Sequence, residues 1–196
     1  NYQIVVDTAP VLERDLAYRA KLGWFGKNSM LINKNFGSYF LIATAIFDVK
    51  INFTTTEKSY ETDHCGSCRA CIDACPTNAI IEQLRQIEVD KCISSYSIEL
   101  FTSDKKAPAG SENAAEIYGC DICQSVCPWN GKIAFNDQAE NENSLVVQTF
   151  LNNSPESIVD NLQTMSKRHF RKTFAHTPLG RTGRDSLIKN IKDKIS

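Results

Sequence analysis

The stretch that decides the fold is Cys65-Gly66-Ser67-Cys68-Arg69-Ala70-Cys71-Ile72-Asp73-Ala74-Cys75-Pro76, where four cysteines at spacings of x2, x2 and x3 precede a proline. A second run, Cys120-x2-Cys123-x3-Cys127-Pro128, repeats the last three cysteines and the proline, with Ile117 where the first cysteine would fall. Cys92 brings the total to eight cysteines. This count matches two sets of four thiolate ligands.

The spacing of the runs predicts two four-iron four-sulfur clusters. Bacterial ferredoxins hold such clusters with the run Cys-x2-Cys-x2-Cys-x3-Cys-Pro, and the fourth cysteine of each run binds the other cluster. Applied to this chain, the rule gives the first cluster the ligands Cys65, Cys68, Cys71 and Cys127. The second cluster receives Cys75, Cys120 and Cys123, and Cys92 is the only thiol left to complete it. Two clusters in one small module can pass electrons in series, so the sequence predicts electron transfer and makes a two-electron reaction accessible.

A zinc ribbon and a disulfide framework are the alternative interpretations of the cysteines. A zinc ribbon also uses Cys-x2-Cys pairs, but four tetrahedral thiolates need no third and fourth cysteine in the same short run. Disulfide frameworks are typical of short secreted chains, whereas this chain has 196 residues. The paired runs and both prolines therefore favour iron–sulfur clusters.

Length and composition set the frame for this prediction. The chain has 196 residues, which fits one or two domains, and 42% of them are hydrophobic. No apolar run approaches the ~18 residues that span a bilayer, so no membrane partner is expected. Reduced thiols predict a reducing compartment, most simply a cytoplasm. The chain opens at Asn1 in a strand-like segment, and we expect it to be the later part of a longer protein.

Charge is unevenly distributed along the chain. Residues 165–196 carry nine Lys or Arg against Asp185 and Asp193, a net charge of +7, so the rest of the chain carries −8. A basic end on an acidic body is a candidate footprint for a phosphate backbone. The alternative is a helix with a solvated charged face. The dense segment Lys167-Arg168-His169-Phe170-Arg171-Lys172, in which an aromatic residue interleaves with cations, favours nucleic-acid binding.

Three regions follow from the residue patterns. Residues 1–60 predict a mixed α/β segment that opens with a strand at 4–6. A helix follows, capped by Asp7 or Thr8, with Leu12, Leu16 and Ala20 on one apolar face and Gly23 at its end. Strands are predicted at 30–32 and 39–47 around a turn at 33–37. Residues 61–135 form the cluster module, with a loop at 105–111. Residues 145–196 predict a helical region, in which one helix starts at Ser154-Pro155 and another is marked by Leu187, Ile188, Ile191 and Ile195.

Four segments resemble the epoxyqueuosine reductase family. They are Val6-Asp7-Thr8-Ala9-Pro10-Val11-Leu12-Glu13-Arg14, Leu22-Gly23-Trp24-Phe25-Gly26-Lys27-Asn28, Cys92-Ile93-Ser94-Ser95-Tyr96-Ser97-Ile98-Glu99 and Tyr118-Gly119-Cys120-Asp121-Ile122-Cys123-Gln124-Ser125-Val126-Cys127-Pro128-Trp129-Asn130. The resemblance runs from about residue 4 to about residue 190. The combination is highly specific, whereas the cysteine runs alone would fit many electron carriers.

The resemblance implies a cytoplasmic, cobalamin-dependent oxidoreductase with two four-iron four-sulfur clusters. Members of this family reduce the epoxide of epoxyqueuosine, at the wobble position of certain tRNAs, to the alkene of queuosine. The implied fold is α+β: part of an α/β cobalamin-binding domain over residues 1–60, a two-cluster ferredoxin-like module over 61–135 and a helical basic region over 145–196. Members carry a further stretch before the opening segment that builds part of the cobalamin cradle. A low-potential electron donor and a monomeric state are also expected.

The resemblance also suggests roles for individual residues. Asp7 lies where the family's proposed general acid lies, although an aspartate before a helix is more often only a cap. Asn28 and Ser94 lie in matched segments expected to face the corrin, and their simpler interpretation is turn and loop polarity. Contacts with the tRNA backbone are predicted for six cations of the basic region: Lys167, Arg168, Arg171, Lys172, Arg181 and Arg184.

Two other functions remain open at this stage. A reductive dehalogenase would share cobalamin and two cubane clusters, but a small organohalide gives no reason for a basic end. A ferredoxin-type electron-transfer protein would need only the cluster module and would leave residues 1–60 and 145–196 without a task. Of the three functions, the sequence favours the tRNA-modifying reductase, followed by the dehalogenase and then the ferredoxin.

Overall fold

A computed structural model describes residues 1–7, 9–52, 59–100, 102, 104–131, 145–150 and 152–195. Thr8, the alternative helix cap, and residues 132–135 of the predicted cluster module lie outside the described residues. Two compact units divide the chain. The first unit comprises Asn1–Ala74, Ile80–Ile87 and Ile122–Ala134, and the second comprises Cys75–Ala79, Glu88–Asp121 and Phe135–Ser196. The three predicted regions are a different division and stay a prediction.

The strands of the first unit form separate two-stranded antiparallel sheets. β1 (Tyr2–Val5) pairs with β4 (Thr44–Phe47), β2 (Trp24–Phe25) with β3 (Leu31–Ile32), and β5 (Ile80–Ile81) with β6 (Gln86–Ile87). The opening strand is confirmed. The predicted strand at 39–47 is shortened to Thr44–Phe47, and it pairs with β1 rather than across the predicted turn. The turn itself closes locally through a bridge between Asn33 and Gly37.

The helix α1 (Glu13–Arg19) begins later than the sequence predicts. Its N-cap position is Leu12, and no side chain caps it, so the predicted cap by Asp7 is wrong. The buried residue of this helix is Ala17, whereas Leu12 and Leu16 of the predicted apolar face are 78% and 39% exposed. A small residue on the buried face allows the helix to approach β3 closely, so the face is rotated from the one that the leucines mark.

Gly23 serves the hairpin of β2 and β3 rather than the end of α1. The helix ends at Ala20, and Lys21 then takes a φ of +60°. A Cβ on Gly23 would stand 2.0 Å from the carbonyl oxygen of Ile32, which real Cβ atoms do not allow. The predicted role of Gly23 as a helix terminator is therefore wrong, and the residue is required by the close approach of two backbones.

Two short helices of the first unit carry cysteines. α2 (Ala70–Asp73) contains Cys71, and α3 (Ile122–Ser125) contains Cys123. The helices pack against each other. Cys127 follows α3 in a turn that its N–H closes by donating to the carbonyl of Gln124 at 3.0 Å. This packing brings the two cysteine runs together.

The second unit is built from helices. It contains 3-10 turns at Val89–Lys91 and Ser111–Asn113, a π-helical turn at Ser95–Glu99, and the α-helices α4 (Leu145–Phe150), α5 (Pro155–Thr164), α6 (Lys167–Thr173), α7 (Leu179–Thr182) and α8 (Arg184–Ile195). The predicted start of α5 is confirmed, because the Ser154 hydroxyl accepts a hydrogen bond from the N–H of Ser157. The core joins α5 to α8 through Ile158, Val159, Leu162, Phe170, Phe174, Leu179, Leu187 and Ile191.

The predicted α+β class agrees with this mixed, helix-rich structure, which has few strands. No helix in the described part of the chain is long and apolar enough to cross a membrane.

Candidate metal centre

One cavity of the first unit gathers cysteines from both runs. Its volume is about 280 Å³, and four thiols line it: Cys65, Cys68, Cys71 and Cys127. These are the four residues that the crosswise rule assigns to the first cluster. The fold thus brings the four thiols that are predicted to hold the first cluster to one cavity.

Local backbone geometry positions the thiols. The N–H of Cys65 donates to a carboxylate oxygen of Asp63 at 2.8 Å, and the N–H of Cys68 donates to the carbonyl of Cys65 at 2.9 Å. Gly66, between them, has a φ of +49°, a conformation that glycine adopts without strain. Cys71 then lies on α2, so one tight turn and one helical turn present three thiols to the same cavity.

Burial controls the protonation of the thiols that line the deeper part of this cavity. It raises the pKa of the Cys71 thiol, and the neighbouring thiols Cys65, Cys127 and Cys68 raise it further. Burial also raises the pKa of the Cys127 thiol. These groups are therefore protonated without metal, and cluster binding must release their protons. Metal loading of this site should consequently weaken at low pH.

Among the described residues, no group of three or more His, Cys, Asp or Glu side chains is placed to hold a single metal ion.

Aromatic rings form one wall of the cavity. His64 and Trp129 line it, and Trp24 packs edge-on against both, with ring centroids 4.7 Å from His64 and 5.0 Å from Trp129. Trp24 is buried, at 2% exposure. These edge-on aromatic contacts exclude water from this side, and a lower local dielectric strengthens the effect of nearby charges on a bound cluster.

Lys27 is a buried cation in the cavity wall that sequence reasoning missed. Its ammonium group donates to the carbonyl of Cys68 and to a carboxylate oxygen of Glu82, both at 2.9 Å. Glu82 also accepts from Arg69. The hydrogen bond from Lys27, followed by the charge of Arg69, holds the pKa of the Glu82 carboxyl below its usual value. The sequence signal was a lysine inside an otherwise apolar and glycine-rich segment.

We expect Lys27→Met to lower the reduction potential of the first cluster, because reduction adds negative charge that the ammonium group stabilises. A unit charge about 10 Å away at an effective dielectric of about 20 contributes about 1.7 kcal/mol, which is about 70 mV for one electron. Redox titration followed by electron paramagnetic resonance measures the shift. Lys34→Met is the matched control, since Lys34 pairs with Glu61 and lies half exposed away from the cavity lining. Equal potentials in both variants would contradict this role.

The remaining cysteines have ordered local surroundings. In the second unit, the Sγ of Cys75 accepts a hydrogen bond from the N–H of Ala79 at 3.3 Å, and the carbonyl of Cys92 accepts from Tyr96 at 2.9 Å. Cys120 follows Gly119, whose N–H donates to the Ser97 hydroxyl at 3.0 Å. Cys123 lies on α3 of the first unit. The grouping of these four cysteines around a second cluster stays a prediction.

Asp7 lies two residues after the end of β1 and has a φ of +57°. It is exposed and lines a second cavity of the first unit, of about 260 Å³, together with Glu13, Arg14, Met30 and Ser38. A non-glycine residue in the left-handed region is uncommon, and aspartate is one of the residues that tolerate it best. Strained backbone of this kind is concentrated at functional sites.

The two predicted corrin contacts lie in different surroundings. Asn28 is buried, and its amide donates to the carbonyl of Cys123 at 3.2 Å and accepts from the N–H of Met30 at 3.3 Å. It lines the cysteine cavity, so its side chain holds α3 beside the β2–β3 hairpin. Ser94 is partly buried at the start of the π-helical turn, and its carbonyl accepts from the Ser97 hydroxyl. Their contact with a corrin stays a prediction.

The six predicted tRNA contacts all lie in the second unit. Arg168, Arg171 and Lys172 are exposed on α6. The other three form ion pairs: Lys167 and Arg184 with Asp185, and Arg181 with Glu99. Four of the six line one pocket, namely Lys167, Arg171, Arg181 and Arg184.

A family model described as a 4Fe-4S double cluster binding domain matches residues 64–130, which include both cysteine runs and Cys92. Together with the cavity of four thiols, this match defines the class: the chain is an iron–sulfur protein with a double-cluster domain.

Similar proteins are known both by sequence and by structure. The epoxyqueuosine reductase of Cyclobacterium marinum is 38% identical over 191 residues, which are 96% of this chain and 56% of that protein. A crystal structure of epoxyqueuosine reductase with a tRNA-Tyr epoxyqueuosine-modified stem loop matches with a TM-score of 0.72 at 27% identity, covering 100% of this chain and 48% of that one. The Bacillus subtilis epoxyqueuosine reductase, solved with its catalytic aspartate loop swung out of the active site, matches with a TM-score of 0.69 at 25% identity and the same coverage.

The chain is therefore similar over nearly its whole length to epoxyqueuosine reductases. It spans about half the length of the relatives that it matches.

Proposed function

We propose that this chain supplies the electron-carrying part of an epoxyqueuosine reductase, which reduces the epoxide of epoxyqueuosine in tRNA to the alkene of queuosine. The observation that carries the proposal is the cavity in which Cys65, Cys68 and Cys71 meet Cys127 of the other run. Similarity to an epoxyqueuosine reductase that has been crystallised with an epoxyqueuosine-modified tRNA stem loop supports this substrate.

The cavity residues fit a four-iron four-sulfur cluster. Four thiols line it, aromatic rings cover one wall, and the buried ammonium group of Lys27 lies in another. When bound, the cluster supplies electrons one at a time at a low potential. The protein's own part is to hold the four thiolates, exclude water on the side of Trp24 and Trp129, and offset the charge that reduction adds. A second cluster held by Cys75, Cys92, Cys120 and Cys123 would complete the electron relay.

The overall reaction requires two electrons and two protons. The epoxide loses its oxygen as water, the two carbons form a double bond, and a low-potential electron donor is oxidised by two electrons in total. Asp7 is the candidate to protonate the leaving oxygen from its carboxyl group. A carboxyl group donates a proton near neutral pH when burial favours its neutral form. Asp7 is exposed in this chain, so bound substrate or the remainder of the protein would have to cover it.

Cobalamin is proposed for the whole protein rather than for this chain alone. The cavity beside Asp7 has a volume of about 260 Å³, whereas pockets for drug-sized ligands already measure about 300–1,000 Å³, and a corrin is larger. The residues of this chain therefore do not enclose the cofactor by themselves. Asn28 and Ser94 remain the proposed contacts of this chain with the cofactor in the whole protein.

The basic region is proposed to hold the tRNA by its phosphate backbone. Phosphate contacts position a nucleic acid without reading its bases, and RNA sequence is read mainly in unstacked loops. Six cations would then guide the anticodon loop to the reductase site: Lys167, Arg168, Arg171, Lys172, Arg181 and Arg184. A reducing compartment such as the cytoplasm and a monomeric enzyme complete the proposal.

The test uses the full-length protein, reconstituted anaerobically with iron, sulfide and cobalamin. It is given a low-potential reductant and tRNA bearing epoxyqueuosine, and the digested nucleosides are followed by mass spectrometry. Loss of one oxygen from the modified base is the expected result. Absence of turnover despite full clusters and bound cobalamin would overturn the proposal, and reduction of an organohalide by the same protein would support the dehalogenase alternative.

A further inference from the structure

We infer that the pocket at the start of α8 binds a phosphate group of a nucleic-acid backbone, a subsite that rests on the proposed function and gives its tRNA interface a fixed point. The pocket has a volume of about 240 Å³ and lies wholly within the second unit. Its lining includes the cations Lys167, Arg171, Arg181 and Arg184 and the hydroxyl residues Thr182 and Ser186.

The charge of the lining favours an anion. Four cations and one carboxylate, that of Asp185, line the pocket, which gives the lining a net charge of +3. Glu99, outside the lining, pairs with Arg181 at 2.6 Å and offsets one of these cations. Asp185 pairs with Lys167 at 2.6 Å and with Arg184 at 2.7 Å. The hydrogen bond from Lys167, and next the one from Arg184, hold the pKa of the Asp185 carboxyl below its usual value. Asp185 therefore fixes two cations at the pocket while leaving an excess of positive charge.

Two hydroxyl groups at this pocket have no hydrogen-bond partner. Thr182 and Ser186 are 3% and 2% exposed, and the hydroxyl oxygen of each is buried and unpaired. Leaving a buried hydroxyl unpaired costs about 1–3 kcal/mol, so such groups are rare unless a ligand or water completes them. A phosphate oxygen is an acceptor that both hydroxyls could satisfy, whereas the surrounding arginines offer only donors.

The backbone adds a further source of positive potential. α8 runs from Arg184 to Ile195, and its first full helical hydrogen bond is donated by Leu187 to the carbonyl of Gly183. The N–H groups of the first turn therefore lack partners within the helix, and the helix dipole places partial positive charge at the same end. Gly183, with a φ of +82°, turns the chain sharply from α7 into α8. The arginines, the two hydroxyl residues and the first residues of α8 thus all line one pocket.

Variants that lack the unpaired hydroxyls test whether these groups bind a ligand or are only unsatisfied groups in the protein core. Ser186→Ala and Thr182→Val in the full-length protein should keep or raise the melting temperature, because each removes an unsatisfied buried group. The same variants should weaken binding of an unmodified anticodon stem-loop RNA about tenfold, since each loses a hydrogen bond to a charged acceptor. A loss of stability with unchanged RNA binding would overturn the inference.

Charge variants on α6 provide a matched comparison. Arg171 lines the pocket, whereas its neighbour Lys172 is exposed on the same helix and does not. Arg171→Gln should weaken stem-loop binding about tenfold and reduce the salt dependence of the binding constant by about one phosphate contact. Lys172→Gln should weaken binding only about twofold, through general electrostatic attraction. Equal effects of the two variants would show a diffuse basic surface and overturn the pocket.

Inorganic phosphate distinguishes the source of the ligand. It should compete with the stem loop only at millimolar concentration, and this competition should disappear in Ser186→Ala. Tight phosphate binding with no effect of the pocket variants on RNA would assign the site to a free anion and overturn the inference. Epoxide reduction at saturating tRNA tests the proposed function separately. Normal turnover with unchanged RNA affinity in the pocket variants would overturn the pocket alone. Weaker RNA binding by the variants, with no epoxide reduction even by the unsubstituted protein, would overturn the reductase function alone.

Discussion

Cys127→Ser is expected to remove about half of the iron and sulfide of the reconstituted protein, because one of two clusters loses a ligand while the other keeps all four. Cys127 lines the same cavity as Cys65, Cys68 and Cys71. The variant should therefore lose the same electron paramagnetic resonance signal as Cys71→Ser, and the double variant should lose no more. Iron and sulfide analysis together with spectra of the reduced protein measure the effect.

Cys75→Ser provides the opposite arm of this test. Although Cys75 belongs to the same sequence run as Cys71, the crosswise rule assigns it to the other cluster. Cys75→Ser should therefore lose the electron paramagnetic resonance signal of the second cluster and keep the signal that Cys127→Ser loses. Ser125→Ala is a control in the second run, since Ser125 is exposed and its hydroxyl donates only to the carbonyl of Ile122. Loss of the same cluster in Cys75→Ser and Cys71→Ser would show that each run serves its own cluster.

The meeting of Cys65, Cys68, Cys71 and Cys127 in one cavity could be predicted because the sequence contains these cysteines at the spacing of a known cluster motif. Thiolate spacing is set by the cluster, so the sequence retains it whatever surrounds it. The same holds for the start of α5, where Ser154 and Pro155 specify the first turn locally. Features encoded by a few adjacent residues were thus predicted correctly.

Features that depend on distant partners were missed. The sequence alone does not establish that Lys27 is buried. Only the folded chain shows that its ammonium group donates to the carbonyl of Cys68 and to a carboxylate oxygen of Glu82. Lys105 begins a segment predicted as a loop, yet its ammonium group is buried and donates to the carbonyls of Tyr96 and Leu100. Burial lowers the pKa of Lys105 to about 8. A buried lysine is paired by contacts that no local pattern records.

Periodicity was also insufficient to orient α1. Leucines at the spacing of Leu12 and Leu16 predict an apolar face, but Ala17 is the residue that packs. A helix packs with the face that allows the closest approach to its neighbour. The sequence of α1 does not specify the strand against which the helix packs. For the same reason the phosphate pocket was only partly predictable: its arginines stand out in the sequence, whereas Thr182 and Ser186 do not.

Asp7→Asn is expected to lower the rate of epoxide reduction by about 10²–10⁴-fold, the usual contribution of a positioned general acid. Asparagine is the appropriate replacement because Asp7 has a φ of +57°, and asparagine tolerates this region as well as aspartate does. The backbone should therefore keep its course after β1, and both clusters should remain at full iron content. Single-turnover analysis of the nucleosides by mass spectrometry measures the rate.

Glu13→Gln is the control for this prediction. Glu13 lines the same cavity as Asp7 and has one carboxylate oxygen buried without a hydrogen-bond partner, so it is the nearest alternative source of the proton. If Asp7 donates the proton, Glu13→Gln should keep the rate of epoxide reduction close to that of the unsubstituted enzyme, whereas Asp7→Asn should lower it. A large loss of rate in Glu13→Gln with little loss in Asp7→Asn would transfer the role of general acid to Glu13.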